Sequence, residues 1–153
     1  MNDVERVVRS VFDAENAYEV EKMLSPYSDD VLFEDVPFGI VAKGKEQLRE
    51  ELDWFFDAVP DARTELKFVF SSGDWAAAEW VLSGTQKGDF PGLPATGRSF
   101  TARGVTIFKV ERGKVKKRTD HWDGAAMLRQ VGATNPKESW TSFLRRKSAS
   151  RSK

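Results

Sequence analysis

Cysteine is absent from this chain of 153 residues, and histidine occurs once, at position 121. Without thiols there is no disulfide framework, no thiolate nucleophile and no sulfur-ligated metal. A lone His121 would need carboxylates to hold a metal. Neither His-x-x-x-His nor Glu-x-x-His spacing occurs, so no metal site is expected. Excess charge of either sign is also missing. Lys plus Arg and Asp plus Glu each number 24, so no global field draws the chain to nucleic acid. No apolar run approaches membrane length, and charged residues fall within the first six positions. A soluble, cytoplasmic protein with neither signal peptide nor membrane span is the expectation. The glycine-rich residues 88–97 lack lysine and the spacing of a phosphate cradle, and neither a serine elbow nor a dinucleotide fingerprint occurs.

The residues that are present outline one domain, with helices first and strands after. Val4, Val7, Val8, Val11 and Phe12 share one helical face and predict an amphipathic helix over 3–17. Val20, Met23 and Leu24 form a short second helix before Ser25-Pro26. Val31, Phe33 and Asp35 alternate with Leu32 and Glu34, which predicts a strand carrying Asp35 on its apolar face. Leu48, Leu52, Phe55, Phe56 and Val59 make the stripe of a third helix, stopped by Pro60. Leu66, Phe68 and Phe70 alternate up to a turn at 71–74. Return strands at 75–85, 100–110 and 115–122 follow, and a terminal helical turn over 125–131. This order predicts an α+β domain over residues 1–135, its N-terminal helices packed on one side of a curved, mainly antiparallel sheet. Residues 136–153 read as a basic tail. From Lys137 onward there are six Lys/Arg against one Glu, and Trp140, Phe143 and Leu144 sit at helical spacing that would let part of it dock.

Two carboxylates stand out. Asp120 lies beside a tryptophan on the last strand, where burial would be costly unless the group were paired or protonated. Asp35 has two readings. It is either a strand-end acceptor for the turn 36–39, or an acid facing a pocket with its pKa raised and able to move a proton near neutrality. The direction of Asp120 is open: its face carries Lys116, Arg118 and Trp122, the other Val115, Lys117, Thr119 and His121, and neither is cleanly apolar. A tight pairing of Asp120 with Arg118 or Arg103 would favour a structural role; a free, desolvated Asp120 would favour catalysis. His121 is a candidate proton shuttle beside Asp120 or Asp123. Trp54, Phe55 and Phe56 read as core. Trp80 and Trp122, with Phe55, are the candidate walls of a pocket for a hydrophobic ring compound, and residues 88–97 a lip over it.

The order of motifs is distinctive. A helix and a short helix precede Asp29-Asp-Val-Leu-Phe-Glu-Asp35 and Gly44-Lys-Glu-Gln-Leu48. A hairpin, Gly92-Leu-Pro-Ala-Thr-Gly-Arg98, Gly113-Lys-Val115, His121-Trp-Asp123 and Met127-Leu-Arg-Gln-Val-Gly132 follow. Over residues 3–132 this resembles the SnoaL-like polyketide cyclases of the NTF2-like superfamily. The resemblance implies a cone-shaped α+β fold, no cofactor, and a homodimer formed through the sheet. It also sorts the branches of the superfamily. Ketosteroid isomerases place a base where Asp35 stands, but their oxyanion donors fall on Val11 and Thr106. Limonene-epoxide-hydrolase-like members share Asp120, with Ala78 and Trp80 in place of an Arg and an Asp. SnoaL-type cyclases use one aspartate as acid/base in an intramolecular aldol closure. That position falls on Asp120, with Asp35 as second acid/base and Arg118 in place of a histidine. A shifted register would elect His121 and Asp123 instead. The function implied is an aldol cyclase or isomerase acting on a cyclic or polyketide-like carbonyl compound; the alternative is a non-catalytic binding or dimerisation module.

Overall fold

Asn2 begins the first helix as an N-cap, its side-chain oxygen accepting from the Glu5 backbone N–H at 2.9 Å. The computed structural model describes residues 1–90 and 93–132. The basic tail with Trp140, Phe143 and Leu144, and the domain boundary ahead of it, lie outside the described residues. Helix α1 spans Asp3–Glu15, two residues shorter than its pattern predicts, and buries Val8, Val11 and Phe12. Asn16 ends it by exchanging two side-chain hydrogen bonds with the backbone of Thr64, at 2.8 and 3.0 Å. Helix α2 (Val20–Leu24) leads into strand β1 (Tyr27–Asp35). A four-residue strand, β2 (Ile40–Lys43), then folds back on β1 before helix α3 (Gly44–Ala58). The residue pattern predicts no strand here, because four residues hold too little alternation to signal one. Strands β3 (Arg63–Ser72), β4 (Trp75–Thr85), β5 (Ser99–Glu111) and β6 (Lys114–Trp122) complete the sheet, and helix α4 (Gly124–Gln130) follows.

The six strands lie in the order β2-β1-β6-β5-β4-β3, all antiparallel except the pair β1 and β6. That parallel pair joins the start of the sheet to its end. It sets Asp35 directly opposite Asp120. Helices α1 and α3 cover one face, α1 chiefly against β3 and β4 and α3 against β1 and β2. The core between them is continuous, with Phe12 edge-on to Phe108 at 6.1 Å.

Two β-bulges decide which side chains face inward. On β3, Leu66 pairs with Trp80 but Phe68 pairs with Glu79, so Lys67 is the extra residue. Side chains alternate by residue, and one inserted residue exchanges the faces beyond it. The Leu66-Phe68-Phe70 alternation is therefore broken. Leu66 packs on the core, while Phe68 and Phe70 are 49% and 60% exposed. On β6, Val110 pairs with Val115 and Lys109 with Lys117, which leaves Lys116 as the extra residue. Val115, Arg118 and Asp120 all point inward as a result, although strict alternation would put Val115 on the other face. Gly104 on β5 makes a second local arrangement possible. A Cβ there would stand 2.5 Å from the Trp80 ring and 2.7 Å from Trp122 Cβ, so only glycine lets both tryptophans pack across it.

Candidate active site

Between α3 and the inner face of the sheet lies a cavity of about 110 Å³. Phe33, Trp80 and Trp122 wall it from the sheet, and Leu52, Phe55 and Phe56 from α3. The stripe of α3 is apolar for this reason, yet those three residues are only partly buried because their inner surfaces face the cavity. Residues 88–97 contribute Phe90, which is buried, lines the cavity and packs at 6.0 Å from Trp54. Gln86 anchors that loop, its side chain donating to the carbonyls of Leu93 and Pro94 and accepting from the Thr96 hydroxyl.

The polar end of the cavity is a charged cluster. Asp120, 6% exposed, accepts a hydrogen bond from Thr106 Oγ1 at 2.7 Å and a two-pronged contact from Arg118, Nε to Oδ1 at 2.9 Å and Nη2 to Oδ2 at 3.2 Å. Thr106 in turn accepts from Trp80 Nε1 at 2.8 Å. The third nitrogen of Arg118, Nη1, donates to Glu15 Oε1 and to Tyr27 Oη. The guanidinium also lies over the rings of Phe33 and Phe108 at 5.6 and 5.9 Å. No buried side-chain nitrogen or oxygen among the described residues lacks a partner. Burial by itself would lower the Arg118 pKa, but Asp120 and then Glu15 outweigh it and hold the guanidinium charged. Burial raises the Glu15 carboxyl above its ordinary range, against the pull of Arg118.

Asp35 sits differently. It accepts from Trp122 Nε1 at 2.9 Å and from the Phe38 backbone N–H at 3.2 Å, both neutral donors. Burial pushes its pKa up to about 7, and the neighbouring Asp120 adds to the rise; the bonds from Trp122 and Phe38 oppose it. Asp35 is thus both capped by the turn and part of the cavity lining.

The remaining expected residues divide cleanly. Trp80, Trp122, Phe55 and Arg118 all line the cavity. His121 does not: it is exposed, on the outer face of the sheet opposite Val105. Asp123 caps α4, its Oδ1 accepting from the Ala126 N–H at 2.9 Å, and like His121 it is not part of the cavity lining. Arg103 pairs with Glu79, and Arg118 is the partner of Asp120, the arrangement expected of a structural Asp120. Sequence reasoning misses Glu15, although its signal is in the pattern: it follows Val8, Val11 and Phe12 on the apolar stripe of α1, where a carboxylate is costly unless paired. Among the described residues, no group of three or more His, Cys, Asp or Glu is arranged to hold a metal ion. No helix among them is long and apolar enough to cross a membrane.

A family model described as SnoaL-like polyketide cyclase matches residues 2–131. The chain is similar to the aklanonic acid methyl ester cyclase DnrD of Streptomyces peucetius, 31% identical over 97 residues that cover 55% of this chain and 67% of that one. It is also similar to the nogalonic acid methyl ester cyclase of Streptomyces nogalater, 33% identical over 81 residues that cover 52% and 60%. The chain thus spans about 60 to 67% of the length of these relatives. A solved Catenulispora acidiphila protein with a ketosteroid isomerase-like fold superimposes with a TM-score of 0.74 at 17% identity, covering 82% of this chain and 92% of that one. The fold is therefore the NTF2-like, ketosteroid isomerase-like cone.

Proposed function

The chain belongs to the SnoaL-like polyketide cyclase family, and on that premise we propose that it closes a ring in a polyketide-like carbonyl compound by cofactor-independent intramolecular aldol addition. The observation that carries this reading is Asp35: a carboxyl at the polar end of an apolar cavity, held by neutral donors and next to Asp120, which is ion-paired with Arg118. Its pKa near neutrality suits a group that must both take and return a proton. As carboxylate, Asp35 removes a proton from the carbon between two carbonyl groups. That carbon attacks a ketone elsewhere in the same molecule, the new C–C bond forms, and the ketone oxygen becomes an alkoxide. Asp35 then gives its proton to the alkoxide, so nothing is gained or lost overall.

The roles of the two acids are thus exchanged relative to the pattern-based expectation. Asp120, gripped by Arg118 and Thr106, serves as the fixed negative neighbour that helps raise Asp35. Arg118 holds that neighbour in place.

The donors near the reacting end also favour a polyketide over a simple ketone. Thr106 donates to Asp120, Trp122 to Asp35, and Arg118 to Glu15, Tyr27 and Asp120. These groups are occupied, so an enolate draws little stabilisation from them. A carbon flanked by two carbonyls brings its own acidity and needs less.

The test is turnover of an aryl β-keto ester bearing a pendant ketone. Asp35→Asn is expected to lower kcat by roughly 10²- to 10⁴-fold while the probe still binds. Wild-type turnover in that variant removes the proposal. The homodimer we propose would form through the outer face, where Phe68 and Phe70 stack at 6.2 Å beside exposed Trp75 and Val105. An exposed apolar cluster of this kind suits a second copy of the chain.

A further inference from the structure

We infer that Glu15 sets the charge class of the ligand: by occupying Arg118, it denies the cavity to carboxylates and reserves it for uncharged or cationic ring compounds. This rests on the reading of the cavity as a small-molecule site and assigns the residue that makes it selective.

Arg118 is the one basic residue among the described residues lining the cavity; the acids lining it are Glu15, Asp35, Glu51 and Asp120. A guanidinium facing an apolar pocket is ordinarily a receptor for carboxylates, because its planar fork matches them. Here every one of its nitrogens already donates within the protein: Nε and Nη2 to Asp120, and Nη1 to Glu15 and Tyr27. Asp120 comes from the same strand, two residues on. Glu15 reaches in from α1, 103 positions away in sequence, and takes an N–H that β6 itself leaves unused.

With Asp120 ion-paired to Arg118, the net charge at this end of the cavity is zero or negative. With both carboxyls ionised, Glu15, Arg118 and Asp120 sum to −1. If Glu15 holds the proton that burial favours, the sum is zero. Asp35 adds either zero or −1. While that ion pair is kept, the floor is not positive. A carboxylate entering this cavity gives up its water and finds Arg118 already engaged by two carboxylates, with no compensating charge left over, which is the costly case for a buried ion. Its methyl ester carries no such cost. A ring ammonium meets carboxylates and the aromatic faces of Phe55, Phe90 and Trp80, which attract cations.

Binding of three ligands with one ring system tests this: 2-naphthoate, methyl 2-naphthoate and 2-naphthylmethylammonium, by calorimetry at about pH 8, where the acid is ionised. Wild-type protein is expected to bind the ester at least about tenfold more tightly than the acid, with the ammonium no weaker than the ester. Glu15→Ala frees one Nη1 hydrogen and is expected to narrow the ester-to-acid ratio by about tenfold through a gain for the acid. A folded Glu15→Ala protein with the wild-type ratio overturns the assignment to Glu15 and leaves the proposed function standing. Should Glu15→Ala not fold, the wild-type ranking decides, and an acid that binds as tightly as its ester overturns the inference. Failure of all three ligands to bind wild-type protein overturns the cavity as a ligand site, and this inference with it.

Discussion

The inner and outer faces of the sheet contrast in an unexpected direction. At the centre of the inner face, under two helices, sit a guanidinium and carboxylates that are nearly excluded from water. Toward one side of the outer face, open to solvent, sit two stacked phenylalanines, a tryptophan and a valine. An ordinary two-layer domain does the reverse. Charge on the inside survives because each buried group is bonded to another. Apolar surface on the outside is what a partner surface needs. On the proposed reading the inner face carries the chemistry and the outer face the association, and a single inserted residue on each of two strands, Lys116 and Lys67, sets which side chains face each way.

The largest expected break in this contrast is Arg118→Met. It leaves Glu15 and Asp120 buried without their cation, and removal of one partner from a buried pair costs about 3–5 kcal/mol. Urea unfolding near neutrality should show that loss, and the loss should shrink in acid as Glu15, raised by burial, takes up a proton.

Asp35→Asn moves stability the other way. A carboxyl whose pKa rises on folding, here from 3.8 to about 7, stabilises the fold fully only below its unfolded value, and that contribution is lost as pH climbs toward 7. The variant lacks this penalty. It should melt higher than wild type at about pH 8, by an amount on the order of 1–3 kcal/mol, and the advantage should vanish toward pH 4. A variant less stable than wild type at both ends of this window would show that Asp35 is held as an ordinary paired carboxylate. The same titration predicts that kcat/KM for the ring closure falls below about pH 7 as the base becomes protonated, with a tenfold loss per pH unit.

The smallest effect on stability belongs to the outer face. Phe70→Glu should change monomer unfolding by no more than about 0.5 kcal/mol, because the side chain is exposed. Light scattering should nonetheless show loss of the proposed dimer. A dimer that persists would separate the stacked phenylalanines from association.

Much of the architecture was legible. The stripes of α1 and α3 and the alternation of β4 are strong periodic signals, and Pro60 and the turn glycines mark where elements end. The walls Trp80, Trp122 and Phe55 followed from that framework, and so did the inward direction of Asp35. The bulges were not legible, since no residue type announces an inserted position. With them went the faces of Phe68, Phe70 and Asp120. Strand β2 was too short to declare itself. His121 and Asp123 share a run of four residues with Asp120 but not its surroundings: one faces solvent and the other caps a helix.

Hydrophobic periodicity and motif order decide fold class, element order and the aromatic lining, because those depend on spacings of a few residues along the chain. The proposed division of labour between the two aspartates depends on something else. The register of β1 against β6 sets Asp35 beside Asp120, and the reach of Glu15 across the core occupies Arg118. Burial then lifts the proton affinity of the acid that lacks a cation. Those are long-range contacts, with partners 85 and 103 positions apart, and only the folded chain brings them within hydrogen-bond or Coulomb range.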